Sequence, residues 1–230
     1  MNLPKLSPRL KKIAELVPKC ETFLDIGTDH AYLPVYLINS GICRRAIASD
    51  LRKGPLMRAK ETAQLFGAEE KTDLRQGSGF ETSEPGEADA AVIAGMGGIL
   101  IAELLKNSEL AAKSVKTLIL QPMTAVFELR LFLYENGYKI EKEVLVSEEE
   151  KLYHIMRVIP SPEEKEKSVF DLFMGDKIEK GGALFEEYKN KQIKKLETKL
   201  FGMKKSKHAD DKVKEEIKKT ELLLDKIKEI

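Results

Sequence analysis

The chain has 230 residues, 42% of them hydrophobic and 33% charged, with a formal net charge of +1. That is room for one substantial domain plus an appendage, with a buried core and a charged surface. The balance excludes a global basic field of the kind that marks many nucleic-acid binders; no apolar run reaches the length needed to span a bilayer, and Cys20 and Cys43 have neither metal-ligand spacing nor a disulfide framework.

The first stretch, MNLPKLSPRLKKIAELVP, lacks the apolar core and small-residue cleavage site of a signal peptide, so a reduced, cytoplasmic setting is expected. Ser7, with Pro8 at the first helical position, opens a helix in which Leu10, Ile13, Ala14 and Val17 recur at helical spacing. Strand-like and helix-like pieces then alternate. TFLDIG reads as a strand, AYLPVYLINSG as a helix closed by Gly41, RAIASDL as a strand, and PLMRAKETAQLFG as a helix stopped by Gly67. TDLRQGSGF is a strand with a glycine-rich end, ADAAVIAGMGG a strand entering a tight turn, and ILIAELLKNS a helix. VKTLILQP is a strand, AVFELRLFLYENG a helix, and YKIEKEVLVSEEEKLYHIMRVIP a hairpin-like pair of strands. This order predicts an α/β fold, a parallel sheet built from crossover units and closed by antiparallel strands.

Composition shifts after SPEEKEKS. From Ala183 to Ile230 there are 14 Lys against 10 acids, a net of +4, which leaves the first 182 residues at −3. Tyr188, Ile193, Leu196, Leu200 and Met203 form one apolar stripe, and Val213, Ile217, Thr220, Leu224 and Ile227 another, with GMKKSKHADD between them as a turn. Two such helices predict an antiparallel, coiled-coil-like hairpin, either a stabilising or dimerising element or a substrate-binding one. The domain plan is a ligand-binding α/β domain over 1–160, a linker and helix over 161–182, and the hairpin over 183–230. The oligomeric state is left open, a monomer being admissible.

Ligands of doubly wound sheets gather at the carboxyl ends of strands, near the switch in strand order. Three such ends stand out. The first is Asp25-Ile26-Gly27-Thr28-Asp29. The second is Asp50, 23 residues beyond Gly27, at the distance where an acid accepts hydrogen bonds from both hydroxyls of a ribose. The third is Gly77-Ser78-Gly79, whose glycines let the backbone approach a flat base. A dinucleotide needs its pyrophosphate at the first turn, but Asp29 and His30 stand where the glycines of that loop belong. S-adenosylmethionine (SAM) carries no phosphate, and its ammonium and sulfonium are cations that Asp25 and Asp29 attract. The carboxylates therefore favour SAM over NAD. The competing reading of Asp50 is a plain surface acid.

LDIGTDHAYLP, DLRKGPLMRAKE, LRQGSGF, ADAAVIAGMGG, LILQP and LRLFLYENGY together resemble the bacterial tRNA (adenine(22)-N1)-methyltransferase family (TrmK). The resemblance runs through most of residues 1–160, and the Lys-rich hairpin fits the family's second domain. It implies a Rossmann-like class I SAM-dependent methyltransferase sheet, SAM as methyl donor, and N1 of adenine 22, in the D-arm region of tRNA, as acceptor. Neither composition nor periodicity points to tRNA. Carried over residue by residue, the resemblance makes Gly27, Asp50, Gly77, Ser78 and Gly79 candidate cofactor contacts; Asp25, Gly95 and Met96 are further candidates, with His30 either among them or orienting Asp29. Ser78 stands where many class I enzymes place an acid facing the adenine of SAM. Gly95-Met96-Gly97-Gly98 stands where amino-methyltransferases of DNA often have N-P-P-Y, so no proline-rich clamp for an exocyclic amine is present, in keeping with attack by a ring nitrogen.

N1 of adenine is neutral and holds its own lone pair, so no base is needed before it attacks; the product is cationic. A carboxylate beside N1 and the exocyclic amine stabilises that charge and can afterwards take a proton. Asp29 is the candidate catalytic group, the alternative being a cap for the following helix. Tyr32 is a candidate to stack on a flipped adenine or else a core aromatic. Gln121 and Pro122 are candidates to line the acceptor pocket, and Arg9 to reach its mouth or to be an ordinary surface arginine. Lys194–Lys195, Lys204–Lys205–Lys207 and Lys218–Lys219 are candidate phosphate contacts or a solvated face. No metal site is expected. The rival readings are a SAM-dependent methyltransferase with a small-molecule or protein acceptor, and a non-catalytic RNA-binding protein.

Overall fold

The structure, a computed structural model, describes residues 2–162, 167–205 and 211–230. The chain divides into two compact units, Met1–Glu166 and Lys167–Ile230. In the first, the Ser7 hydroxyl accepts a hydrogen bond from Leu10 N–H and caps α1 (Pro8–Leu16). There follow β1 (Cys20–Ile26), α2 (Tyr32–Asn39), β2 (Cys43–Asp50), α3 (Lys53–Leu65), β3 (Thr72–Gln76), β4 (Ala90–Gly97), α4 (Gly98–Asn107), α5 (Glu109–Ser114), β5 (Thr117–Thr124), α6 (Val126–Glu135), β6 (Tyr138–Glu148) and β7 (Lys151–Pro160). The helix α5 is an addition to the expected order: Ser108, at φ −128° and ψ 46°, breaks the helix without any Pro or Gly to announce it.

The strands form one seven-stranded sheet in the order β3-β2-β1-β4-β5-β7-β6. The pairs among β1 to β5 are parallel; β7 runs antiparallel to β5 and to β6. This is the Rossmann-like doubly wound sheet expected from the sequence, with its switch in strand order between β1 and β4. Parallel strands covered on both faces need apolar side chains at successive positions, and they have them. Phe23, Ala48, Val92 and Ile119 pack on one face with Ile13, Leu37 and Ala59. Their chain neighbours Leu24, Ile47, Ile93 and Leu120 pack on the other with Ile101, Leu105, Leu129 and Leu133.

The closing hairpin turns through Glu149 and Glu150, at φ 50° and 61°, with Glu148 paired to Lys151. A two-residue turn of this kind favours Asn-Gly, because both central residues are left-handed. Beneath the hairpin lies an enclosed charged cluster. Arg130 of α6 places Nη2 2.6 Å from Glu143 Oε1 and Nε 3.1 Å from Oε2. His154 of β7 places Nδ1 2.7 Å from the same Oε1. Burial alone would raise the Glu143 pKa, but Arg130 and His154 outweigh it and bring it down to about 2.

The second unit holds α7 (Val169–Met174), α8 (Ala183–Lys205) and α9 (Asp211–Lys228). Phe185, Tyr188, Leu196 and Leu200 of α8 and Thr220, Leu224 and Ile227 of α9 are buried, and the Tyr188 hydroxyl donates to the carbonyl of Phe173 at 2.8 Å. Ion pairs join Glu197 to Lys228 at 2.9 Å and Lys204 to Glu221 at 2.6 Å, which fixes the two helices as antiparallel. α8 continues through Gly202 to Lys205, where a turn was expected from Gly202; residues 206–210, Lys207 included, lie outside the described residues. So do residues 163–166 of the expected linker. Among the described residues no helix is long and apolar enough to cross a membrane.

Removing one partner of a buried charge pair leaves the other poorly compensated, so Glu143→Ala is expected to lower the stability of the first unit by about 3–5 kcal/mol in urea unfolding. The double variant Glu149→Asn/Glu150→Gly relieves two left-handed glutamates and is expected to raise Tm by about 2–4 °C, read by calorimetry.

Candidate active site

At the carboxyl ends of β1, β2 and β3 the backbone itself knits the site. Gly27 and Thr28 both donate their N–H groups to the carbonyl of Ser49 at 2.8 Å, and Gly77 N–H donates to the carbonyl of Asp50 at 3.2 Å. Gly27 turns at φ +80°, a conformation that strains any other residue, and a Cβ there would lie 2.3 Å from Met96 Cε, so the turn after β1 favours glycine. Gly79, at φ +55°, would bring a Cβ to 2.8 Å from Leu104 Cδ2. Ser78, between Gly77 and Gly79, starts the short 3₁₀ turn Gly79–Thr82. Gly27 and Gly77 are half-buried and Gly79 is buried, so these strand ends carry little side-chain bulk.

Two carboxylates lie at these strand ends. Asp25 is buried, and its pKa is raised to about 6 by that burial, with the Thr28 hydroxyl opposing and the nearby Asp50 carboxylate adding to it. Thr28 Oγ1 also accepts from Ala31 N–H at 3.2 Å, so one hydroxyl serves both the acid and the entry to α2. Asp50 is oriented by Arg52, whose backbone N–H donates to Oδ1 at 2.7 Å. It is a mostly enclosed, directed acid and not a loose surface one.

Asp29 does not cap α2. Ala31 occupies that position at φ +53°, with no side-chain cap bond. Instead the Asp29 carboxylate is paired with the Arg58 guanidinium on α3, and His30 Nε2 lies 3.5 Å from its Oδ2. The hydrogen bond from Arg58 is the main reason its pKa falls below the ordinary carboxylate value. The Asp29 side chain is 62% exposed, so it faces outward from the loop. His30 stacks on Tyr32, ring centroids 5.2 Å apart with 13° between planes. Tyr32 is exposed, which removes the core reading of that ring.

On the other side of the switch, Ala94 pairs with Gln121 and Met96 with Pro122, so Gly95, at φ +77°, is an extra residue in β4. Its N–H donates to Gln121 Oε1 at 3.1 Å. Arg9 Nη1 donates to the same oxygen at 2.6 Å, and Gln121 Nε2 donates to the carbonyl of Pro122 at 3.0 Å. Gln121 is fully enclosed and Pro122 is buried. The expectation that this pair lines the acceptor pocket is therefore corrected for Gln121, whose polar atoms are engaged within the protein. Arg9 is likewise turned inward: its Nε is 3.6 Å from Glu148 Oε1, its backbone N–H donates to Glu148 Oε2 at 2.8 Å, and its guanidinium lies 5.5 Å from the Tyr153 ring centroid.

Two residues of this site escaped the sequence reading. Arg58 lies 29 positions from Asp29, beyond any local spacing rule, and Glu148 sits in a run of glutamates that reads as solvated surface. Among the described residues no group of three or more His, Cys, Asp or Glu is arranged to hold a metal. Cys20 and Cys43 are opposite each other on β1 and β2, both free thiols, with pKa values pushed up to about 11 and about 12 mainly by burial.

A family model described as a methyltransferase domain matches residues 6–156. The tRNA (adenine(22)-N(1))-methyltransferase of Bacillus subtilis is 40% identical over 156 residues, which cover 68% of this chain and 66% of that protein, just under two thirds of its length. The crystal structure of the B. subtilis m1A22 tRNA methyltransferase TrmK matches 98% of each chain with a TM-score of 0.84 at 28% identity. TrmK of M. capricolum, solved with S-adenosyl-homocysteine, matches 97% of this chain and 96% of its own with a TM-score of 0.81 at 25% identity. The strand order, the glycine cleft with its carboxylates and these likenesses lead to one assignment: the chain belongs to the methyltransferase-domain family and, within it, to the bacterial tRNA (adenine(22)-N1)-methyltransferases of the TrmK type.

Proposed function

We propose that this protein is a SAM-dependent methyltransferase that modifies N1 of adenine 22, in the D-arm region of tRNA. The observation that carries the reading is the end of β1 and the loop to α2: glycine at the tight turn, but carboxylates at Asp25 before it and Asp29 after it, where a phosphate-binding loop has none. The likeness to TrmK enzymes supports the acceptor. A tRNA substrate and two free thiols fit a cytoplasmic enzyme.

The residues present fit the cofactor. Gly27, Gly77 and Gly79 allow the tight backbone turns at these strand ends, where an added Cβ would meet Met96, Thr82 and Leu104. Asp50, held by the Arg52 N–H, accepts hydrogen bonds from the ribose hydroxyls, and Asp25 attracts the ammonium of the methionine end. When bound, SAM supplies an electrophilic methyl group. The chain's own work is to place the adenine and stabilise charge. Tyr32, exposed and already stacked on His30, offers a face for the flipped base. Asp29 accepts a hydrogen bond from the exocyclic amine and stabilises the positive charge that develops on the ring.

The hydrogen bond from Arg58, which lowers the Asp29 pKa, supports one of its two conceivable roles. With Arg58 donating to it, the carboxylate stays ionised and is a weak proton acceptor. It acts as a fixed anion, not as a base. Exposed lysines such as Lys194 and Lys218 are candidates for phosphate contacts from the second unit.

The test is methyl transfer from labelled SAM to unmodified tRNA, with the position mapped by reverse-transcription stops. The expected result is a stop at adenine 22; a labelled small molecule or protein with no label in tRNA would overturn the acceptor. Asp29→Asn keeps the shape of the loop but not its charge, and is expected to lower kcat by about a hundredfold with the SAM Kd within about twofold. Full activity in that variant would remove Asp29 from the chemistry. Protonation of Asp25 removes the attraction for the ammonium, so SAM affinity measured by calorimetry is expected to weaken as pH falls below about 6. Asp25→Asn should flatten that dependence.

A further inference from the structure

The extra residue in β4 creates a local problem. Gly95 has no opposite number in β5, so its N–H does not join the parallel ladder and takes its acceptor from a side chain instead. The side chain of Gln121 answers it. Its Oε1 takes the Gly95 N–H at 3.1 Å and the Arg9 Nη1 at 2.6 Å, two donors converging on one oxygen. That convergence fixes which way the amide points. Rotated by half a turn, its NH2 would face two groups that can only donate, and its oxygen would face the carbonyl of Pro122.

Arg9 is in turn held from behind. Glu148, at the end of β6, accepts the Arg9 backbone N–H at 2.8 Å and lies 3.6 Å from its Nε, while the Tyr153 ring lies 5.5 Å from the guanidinium. At the far end of the chain of contacts, Gly95 leads directly to Met96, whose Cε packs against the Gly27 turn. Gly98 completes the loop against backbone: a Cβ there would lie 2.3 Å from the carbonyl oxygen of Ala125.

We propose that Glu148, Arg9 and Gln121 form a positioning relay that sets the Gly95 peptide and, through Met96, the wall of the cofactor turn, so that Arg9 and Gln121 govern methyl transfer without touching the RNA. The inference rests on the methyltransferase reading above. Because the peptide is planar and trans, fixing the direction of the Gly95 N–H also fixes the Ala94 carbonyl on its opposite edge. The whole loop at the mouth of the site therefore takes its orientation from an amide oriented by a helix outside the sheet.

Gln121→Met fills nearly the same volume but offers no acceptor. In single-turnover transfer at saturating tRNA and SAM, its rate is expected to fall by about tenfold or more, with the tRNA Kd within about twofold. Exchange of the Gly95 amide, followed in the cofactor-free protein, should accelerate by about tenfold. Gln121→Glu restores an acceptor for both donors and should lie closer to the native protein than Gln121→Met in both readouts. Glu148→Gln, at the far end of the relay, should shift Gly95 exchange in the same direction by a smaller factor, which keeps the test open if Gln121→Met does not fold. Unchanged Gly95 exchange in these variants would overturn the relay. So would a weakened tRNA Kd with an unchanged saturated rate, which is the signature of direct RNA contact. Should the native protein label no tRNA, the acceptor assignment fails, but Gly95 exchange still decides the relay.

Discussion

Two backbone N–H groups, those of Gly27 and Thr28, converge on the carbonyl of Ser49, and most of the site depends on that convergence. It ties the end of β1 to the end of β2 and forces the chain through a left-handed residue that only glycine adopts without cost. The turn follows the buried Asp25, leaves the Asp29 side chain exposed, and sets Gly27 against Met96 of β4. Strand order does the rest. Because β1 and β4 are neighbours whose onward connections diverge, the cleft opens beside this turn.

Three acids at one sheet edge then acquire different characters from their surroundings. Asp25 is buried, which pushes its pKa up to about 6, Asp29 is exposed and paired with Arg58, and Asp50 is aimed by a backbone N–H. Environments that push like groups apart allow one cleft to attract a cation and to stabilise a developing one. The enclosed Arg130–Glu143–His154 cluster shows the same chemistry put to structural use: Arg130 reaches 2.6 Å from its carboxylate, deep below the hairpin and away from the switch in strand order.

Much of this was legible in the residues. Short, mostly apolar runs such as FLDI and AAVI, alternating with helical stretches, read as parallel strands covered on both faces, and Ser7-Pro8, Gly41 and Gly67 marked helix limits. The α5 break was hidden because Ser108 bends the chain without a distinctive residue type. In the site, position along a strand located Asp25, Gly27 and Asp50, but side-chain direction is a tertiary property. Gln121 stands at a strand end like a ligand-binding residue, yet a bulge in the neighbouring strand turns it inward. Arg58 and Glu148 matter through contacts that span 29 and 139 positions, which no spacing rule detects.

The central claim is that this edge of the sheet is built for a cationic nucleoside cofactor and against a pyrophosphate. Calorimetric titration of the purified protein with SAM and, separately, with NAD tests it most directly. The account predicts that SAM binds, that Asp50→Ala weakens it by about tenfold or more through loss of the ribose contacts, and that NAD gives no saturable heat. Saturable NAD binding, or SAM affinity indifferent to Asp50→Ala, would contradict it.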